Sequence, residues 1–300
     1  MTELMVPGHI TTLKTLDPGE VRIIELTLPQ QWEIEGNMYP IHDTMRPGTA
    51  FLAKPWGSRT EKRRRRMYTR SNSSMHSAYC LETIINYTHT EKSDTSAWWQ
   101  TDECVEWQQF GQPLEVKVEW NHDRTALHIY ENSQTCLDSN LRLEPDGEWE
   151  RMHFLALAFS TGITPFLSYL RYMKGLNFGR STSHAGARFG LIVSVRSPEQ
   201  LMAHDELLVL QQHFPDNFWY HPVLTRRWPE DWPFTRGRIM RTRQATVDDT
   251  AIDLSQLLAI VPDLQQYHIR YCGNKAALTQ LRQGFQEQGV RLHSIRAEVW

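Results

Sequence analysis

Three segments of the chain carry residue types suited to holding phosphates, stacking on planar ligands or moving protons. Phe159-Ser-Thr-Gly-Ile-Thr-Pro-Phe166 follows an apolar run and opens a helical one. Gly162 permits close backbone approach and Pro165 suits a first helical turn. With Thr161 and Thr164 beside the positive helix end, the segment reads as a pyrophosphate site, or as an ordinary strand-to-helix turn. Arg66-Met-Tyr-Thr-Arg-Ser-Asn-Ser-Ser74 places Arg66 and Tyr68 on one face of a strand. A guanidinium there could hold a phosphate while the phenol stacks on a flat ring, with Thr69 opposite and Ser71 just beyond. The bland reading is a polar loop after the basic run Lys62–Arg66. Tyr271-Cys-Gly-Asn274 ends a predicted parallel strand, the end at which such sheets bind ligands, and the chain closes on Glu298-Val-Trp300. Taken singly, Cys272 reads as a small buried hydrophobe and Trp300 as terminal packing. Thr225 and Arg226, with Arg227 and Arg236 close in sequence, form either a second phosphate pocket or a surface arginine cluster.

These segments need a scaffold, and the 300 residues suffice for two domains of ordinary size. With 40% hydrophobic and 22% charged residues the chain is globular in composition, and a net charge of −3 exerts no general pull on nucleic acid or anionic lipid. In Val21–Leu28 and in Leu114–Trp120 apolar and polar residues alternate, which predicts antiparallel strands with one wet face. Turn signals at Asp17-Pro18-Gly19, Arg46-Pro47-Gly48 and Asn121-His122-Asp123 separate short strands, as in a small barrel or sandwich. Near Glu148 the pattern changes. His153–Phe159, Phe189–Val195, Phe218–Leu224 and Tyr267–Cys272 are apolar runs that alternate with helical stretches at Pro165–Lys174, Pro198–His213, Leu254–Ile260 and Ala276–Gln288. The expectation is an antiparallel β-barrel domain over residues 1–148 and an α/β domain with a parallel sheet over 149–300.

Cys80, Cys104, Cys136 and Cys272 lie too far apart in sequence for a zinc or iron–sulfur motif and read as reduced thiols of a cytoplasmic protein. The first ten residues lack the pattern of a signal peptide, and no apolar run is long enough to span a membrane, so a soluble protein is expected.

In order and spacing these segments resemble the ferredoxin–NADP reductase family, bacterial-type members above all. Arg66-Met-Tyr-Thr stands where that family has Arg-x-Tyr-Ser, and Ser160-Thr-Gly-Ile-Thr-Pro-Phe166 is similar to its Gly-Thr-Gly-Ile-Ala-Pro-Phe loop. Val195-Arg-Ser-Pro-Glu-Gln-Leu201 with Asp205-Glu-Leu207, then Val223-Leu-Thr-Arg226 and Gly237-Arg-Ile239, resemble its nucleotide-reading segments. Tyr271-Cys-Gly-Asn274 and Glu298-Val-Trp300 match its Cys-Gly strand and terminal Glu-Val-aromatic. The resemblance spans about Leu13 to Trp300 and is looser in the first half. Ser160 replaces the first loop glycine. The family's Gly-x-Cys-Ser flavin-phosphate motif is met only by Asp102-Glu-Cys-Val105, whose carboxylates repel phosphate.

The resemblance implies FAD, with FMN the alternative, and NADP as cofactors. It puts Arg66 on the flavin pyrophosphate, Tyr68 against one ring face, Thr69 near the hydride-accepting nitrogen, and Ser71 alongside. It puts the dinucleotide on Thr161, Gly162, Thr164, Pro165, Arg196 and Gly273, with Thr225, Arg226 and Arg236 on the adenosine 2′-phosphate. Cys272 would flank the nicotinamide, Glu298 relay a proton, and Trp300 cover the second ring face until it swings aside. The partner implied is ferredoxin, flavodoxin or another small electron carrier, docked on Lys62–Arg66. The alternatives are a dedicated reductase component of an oxygenase or biosynthetic system, and a degenerate nucleotide-binding or interaction module.

Overall fold

The computed structural model describes residues 4–17, 20–55, 66–73, 75, 78–87, 94–131, 151–183, 185–244 and 250–299. Two compact units emerge, residues 1–142 with 164–175, and residues 143–163 with 176–300.

In the first unit the described strands are β1 (Leu4–Asp17), β2 (Val21–Thr27), β3 (Gln31–Ile34), β4 (Asn37–His42), β5 (Ala50–Lys54), β6 (Arg66–Thr69), β7 (Cys80–Asn86), β8 (Pro113–Trp120) and β9 (Leu127–Ile129). They form one curled sheet in the order β3-β4-β9-β8-β1-β2-β7, with β5 joined to β8 and β6 to β5. Pairing is antiparallel apart from β4 with β9. The alternation in the sequence is realised directly. Ile24 and Leu26 of β2 and Leu114, Val116 and Val118 of β8 point into one core with Val6, Phe51, Leu81 and Leu127. Burying each such side chain contributes roughly 1.5–3 kcal/mol.

Two helices interrupt this half, α1 (Asp94–Trp98) and α2 (Asp102–Gln109). They escape a pattern-based reading because α2 buries little beyond Cys104 and so shows no apolar stripe. Trp98 and Trp99 nonetheless enter the core fully. A third helix, α3 (Thr164–Gly175), completes this unit although it follows a strand of the other.

The second unit contains β10 (His153–Phe159), β11 (Arg188–Val195), β12 (Phe218–Leu224), β13 (Thr235–Arg236), β16 (His268–Gly273) and β17 (Ser294–Val299), all parallel, in the order β13-β12-β11-β10-β16-β17. A separate antiparallel ribbon joins β14 (Arg241–Gln244) to β15 (Thr250–Asp253). The helices are α4 (His204–His213), α5 (Ser255–Ile260) and α6 (Lys275–Glu287). Leu155, Leu157, Ile269 and Tyr271 pack with Leu278, Leu281 and Phe285 of α6. Coverage on both faces explains why β10 and β11 read as unbroken apolar runs.

The helix expected over Pro198–His213 is two pieces. Pro198–Gln200 is a short 3₁₀ turn, and α4 starts only at His204 because Ala203 takes a left-handed φ of 55°. No described helix is long and apolar enough to cross a membrane.

Candidate functional site

From β10 the second unit's chain winds outward through β11, β12 and β13, then returns to the other side of β10 as β16 and β17. The direction of winding therefore reverses between β10 and β16. At such a point the connections leave the carboxyl ends of neighbouring strands in opposite directions and open a crevice. Sequence-selected residues stand on both sides of it. Ser160, Thr161 and Gly162 form a 3₁₀ turn directly after β10, and this turn packs against β16. Cys272 and Gly273 end β16. Thr164 and Pro165, both buried, open the helix that continues the turn.

Ser160 has φ of 52°, the left-handed conformation that glycine adopts without strain. The turn of a glycine-rich loop is thus kept by a serine, at a cost of about 1 kcal/mol. Gly273 cannot be replaced freely: a Cβ there would lie 2.8 Å from Tyr271 Oη and 2.9 Å from Phe159 Cβ. The Tyr271 hydroxyl donates to Asn274 O at 2.8 Å, and the Asn274 side chain caps α6 by accepting from Ala277 N at 2.8 Å. These bonds fix the strand end as bare backbone facing the turn, the form suited to a closely approaching phosphate or ring.

Cys272 is buried and lies opposite Glu298 in the register of β16 with β17. Burial, and then the Glu298 carboxylate, push its thiol well above the ordinary range. A thiol so placed favours its protonated form, which is the weaker nucleophile. Trp300 lies outside the described residues.

The carboxyl ends of β11 and β12 are tied together by backbone. Thr225 N and Oγ1 donate to Val195 O at 2.9 and 3.0 Å, and Arg226 N and Arg227 N donate to Arg196 O at 3.0 and 2.9 Å. Arg196 and Arg226 are thereby held side by side on the exposed rim. Arg227 instead reaches Ser197 Oγ at 3.3 Å and Glu199 at 3.5 Å. Arg236 is turned away to donate to the carbonyls of Glu230 and Trp232. Arg238, within the nucleotide-reading resemblance Gly237-Arg-Ile239, and Arg241, not singled out from sequence, line a cavity of about 380 Å³ with Asp253, Ser255 and Gln256.

In the first unit Arg66 is exposed at the start of β6 and Tyr68 is buried. The Tyr68 ring packs against Phe51 and Trp99, each with centroids 5.8 Å away, and its hydroxyl accepts from Trp99 Nε1 at 3.1 Å. Burial raises the phenol's pKa above its ordinary value. Tyr68 is thereby packed into the aromatic core, with its hydroxyl tied to Trp99. Thr69 is half-buried and its carbonyl accepts from Thr83 Oγ1 at 2.8 Å, while Ser71 donates its hydroxyl to Glu82 at 2.5 Å. The buried indole N–H of Trp98 finds no acceptor among the described residues, so the aromatic group beside Tyr68 holds an unspent donor. Asp102–Val105 does not fit a phosphate. Its amides begin α2, Thr101 already caps Cys104 N at 3.3 Å, and the Asp102 and Glu103 carboxylates crowd the same turn.

No protein-family model matches the chain, and no curated protein matches it by sequence. Its structure is similar to the cytochrome P450 reductase GcoB of Amycolatopsis, with 16% identity and a TM-score of 0.59, covering 99% of this chain and 70% of that one. It is similar to the Malassezia yamatoensis flavohemoglobin solved with bound FAD and heme, at 15% and 0.60, covering 99% of this chain and 60% of that one. The Plasmodium falciparum ferredoxin–NADP+ reductase with 2′P-AMP matches at 15% and 0.59, over 99% and 96%. The chain has the ferredoxin–NADP reductase fold. At these identities the likeness is one of architecture, and no sequence match supports a placement among bacterial-type members.

Proposed function

We propose that the chain is a flavin-dependent oxidoreductase that takes hydride from NADPH and passes electrons to a small carrier protein such as ferredoxin or flavodoxin. The observation that carries this reading is the crevice between β10 and β16, where the Ser160 turn faces the bare strand end at Gly273. A pyrophosphate fits there, held by the amides of Thr161 and Gly162. Arg196, Arg226, Arg238 and Arg241 offer guanidinium groups for a 2′-phosphate, as the 2′P-AMP of the Plasmodium neighbour suggests. The flavohemoglobin neighbour makes FAD the matching cofactor for the first unit. Arg66 would hold its phosphates and Thr69 would meet its polar atoms, with Asp102–Val105 taking no part. A bound flavin supplies the ability to accept hydride and release electrons singly. Cys272 bounds the nicotinamide position as a neutral thiol, and Glu298 holds or releases a proton beside it.

Absorption spectra before and after anaerobic NADPH addition test this. Bands near 375 and 450 nm that bleach on addition support it, whereas a colourless protein that takes up no flavin sinks it. The oxygenase-system reductases among the structural neighbours favour a second reading, a reductase serving one dedicated partner. In either case the basic run Lys62–Arg66, of which only Arg66 is among the described residues, would speed docking of an acidic carrier. Neutralising Arg63–Arg65 should then slow carrier reduction at low salt and leave NADPH oxidation intact; an unchanged rate would exclude that role. Unpaired thiols at Cys80, Cys104 and Cys272 suit a cytoplasmic setting.

A further inference from the structure

Helix α3 is fastened to the first unit at three places. The Tyr169 ring lies on Gly48, where an added Cβ would come within 2.6–2.8 Å of ring atoms. Ser168 Oγ donates to Asn72 O at 2.8 Å. Arg171 Nη1 donates to Glu82 Oε1 at 2.6 Å and to Ser71 O at 3.0 Å. Glu82 Oε1 also accepts the Ser71 hydroxyl, and the Glu82 amide donates to Asn72 Oδ1 at 3.1 Å. Behind them Arg70, itself buried, grips Asp43 with a two-pronged pair at 2.7 and 2.9 Å. The two hydrogen-bonded anchors fall on residues 71 and 72, in the direct extension of the Arg66–Thr69 strand, and on Glu82 of β7. The helix so anchored is the uninterrupted continuation of the Ser160–Ile163 turn.

We propose that Glu82 and Arg171 are positioning residues for dinucleotide binding, clamping α3 to the strand end beyond the flavin motif and so steadying the first turn of that helix, Thr164–Phe166, at the proposed pyrophosphate site. The inference rests on reading that turn as the pyrophosphate site. Charge-assisted bonds between partly shielded groups hold direction as well as distance, and a helix transmits the placement along its length. A displacement of about 1 Å at such a turn is enough to weaken the fit to a phosphate pair severalfold or more.

The test uses the full chain with Arg171→Met, Glu82→Gln and the charge-keeping Arg171→Lys. Amide hydrogen exchange should quicken about tenfold over residues 160–166 in Arg171→Met, with residues 188–195 and 268–273 protected as before. NADP+ affinity by calorimetry should fall about tenfold in parallel, with Arg171→Lys restoring most of it, and KM should rise more than kcat falls. Faster exchange in the turn of a protein whose wild type binds no NADP+ would leave the clamp standing and remove the pyrophosphate reading. Unchanged exchange at 160–166, or exchange raised equally through the whole first unit, would overturn the positioning role.

Discussion

Cys272 and Glu298 stand opposite one another as register partners on two parallel strands, the buried thiol beside the half-buried carboxylate. Sulfur in that setting keeps its proton, so Cys272 should resist iodoacetamide at pH 8 far longer than an exposed cysteine. Alkylation at the rate of a free thiol would show that the strand end is open. In the proposed reaction Glu298→Gln should lower kcat by about 10²-fold, the scale of a lost proton-transfer group, with NADP+ affinity nearly unchanged. A fall in affinity equal to the fall in kcat would mean that Glu298 only shapes the pocket.

The buried thiols also bear on stability at alkaline pH. Burial pushes Cys104 up to about 12, and burial together with Glu25 does the same to Cys80. Below about 9 both folded and unfolded chains keep these protons. Above that value the unfolded chain releases them while the folded chain does not, so stability falls as pH rises toward 12. The buried Cys104 contributes a slope of up to about 1.4 kcal/mol per pH unit, and the part-exposed Cys80 less. Urea titrations at pH 8, 9.5 and 10.5 should show a shallower decline for Cys104→Ala than for wild type. An equal decline would assign the alkaline loss to other groups.

Arg70 and Asp43 form an ion pair with side chains 1% and 2% exposed. Removing one partner strands the other charge in the core, which costs about 3–5 kcal/mol. Asp43→Ala should therefore unfold at markedly lower urea, and Asp43→Ala with Arg70→Met should recover much of the loss. A double variant as weak as the single one would show that Arg70 is needed for its bonds to Asn72 and Cys80 O as well.

In the proposed reaction the arginines would divide the labour of nucleotide choice. Arg226→Ala and Arg238→Ala should each raise KM for NADPH about tenfold and leave KM for NADH within a factor of two, the scale of a lost charged contact. Arg236→Ala should act chiefly on stability, because that guanidinium is bound to two carbonyls. If Arg236→Ala shifted the NADPH to NADH ratio and Arg238→Ala did not, the assignment would have to be exchanged.

Much of this architecture was legible in the chain. Period-two alternation located β2 and β8, and apolar runs located β10, β11, β12 and β16 to within a residue or two. That works because a buried strand must be apolar wherever a layer covers it. The α1–α2 segment was not legible: Trp98 and Trp99 are core residues at and just beyond the end of a five-residue helix, too short to show an apolar stripe. The site was read unevenly for a related reason. Glycine and serine at a turn report backbone conformation, which is local, so the Ser160 turn and Gly273 could be picked out. Whether Tyr68 stands open or is packed into the core depends on Trp99, thirty-one positions away, and whether Arg236 or Arg238 faces the hollow depends on carbonyls supplied by the loop at 230–232. Burial of Arg70 has no sequence signature, since its partner Asp43 is twenty-seven positions distant.

The membership of α3 in the first unit bears on any attempt to recombine this protein. A crossover placed between β9 and β10 would look natural on the chain, yet it would hand the new protein a foreign helix where Gly48, Asn72 and Glu82 await Tyr169, Ser168 and Arg171. The genetic seam and the physical seam do not coincide. A hybrid that exchanges the parallel-sheet half leaves the first unit whole only if residues 164–175 travel with the β half they are built against.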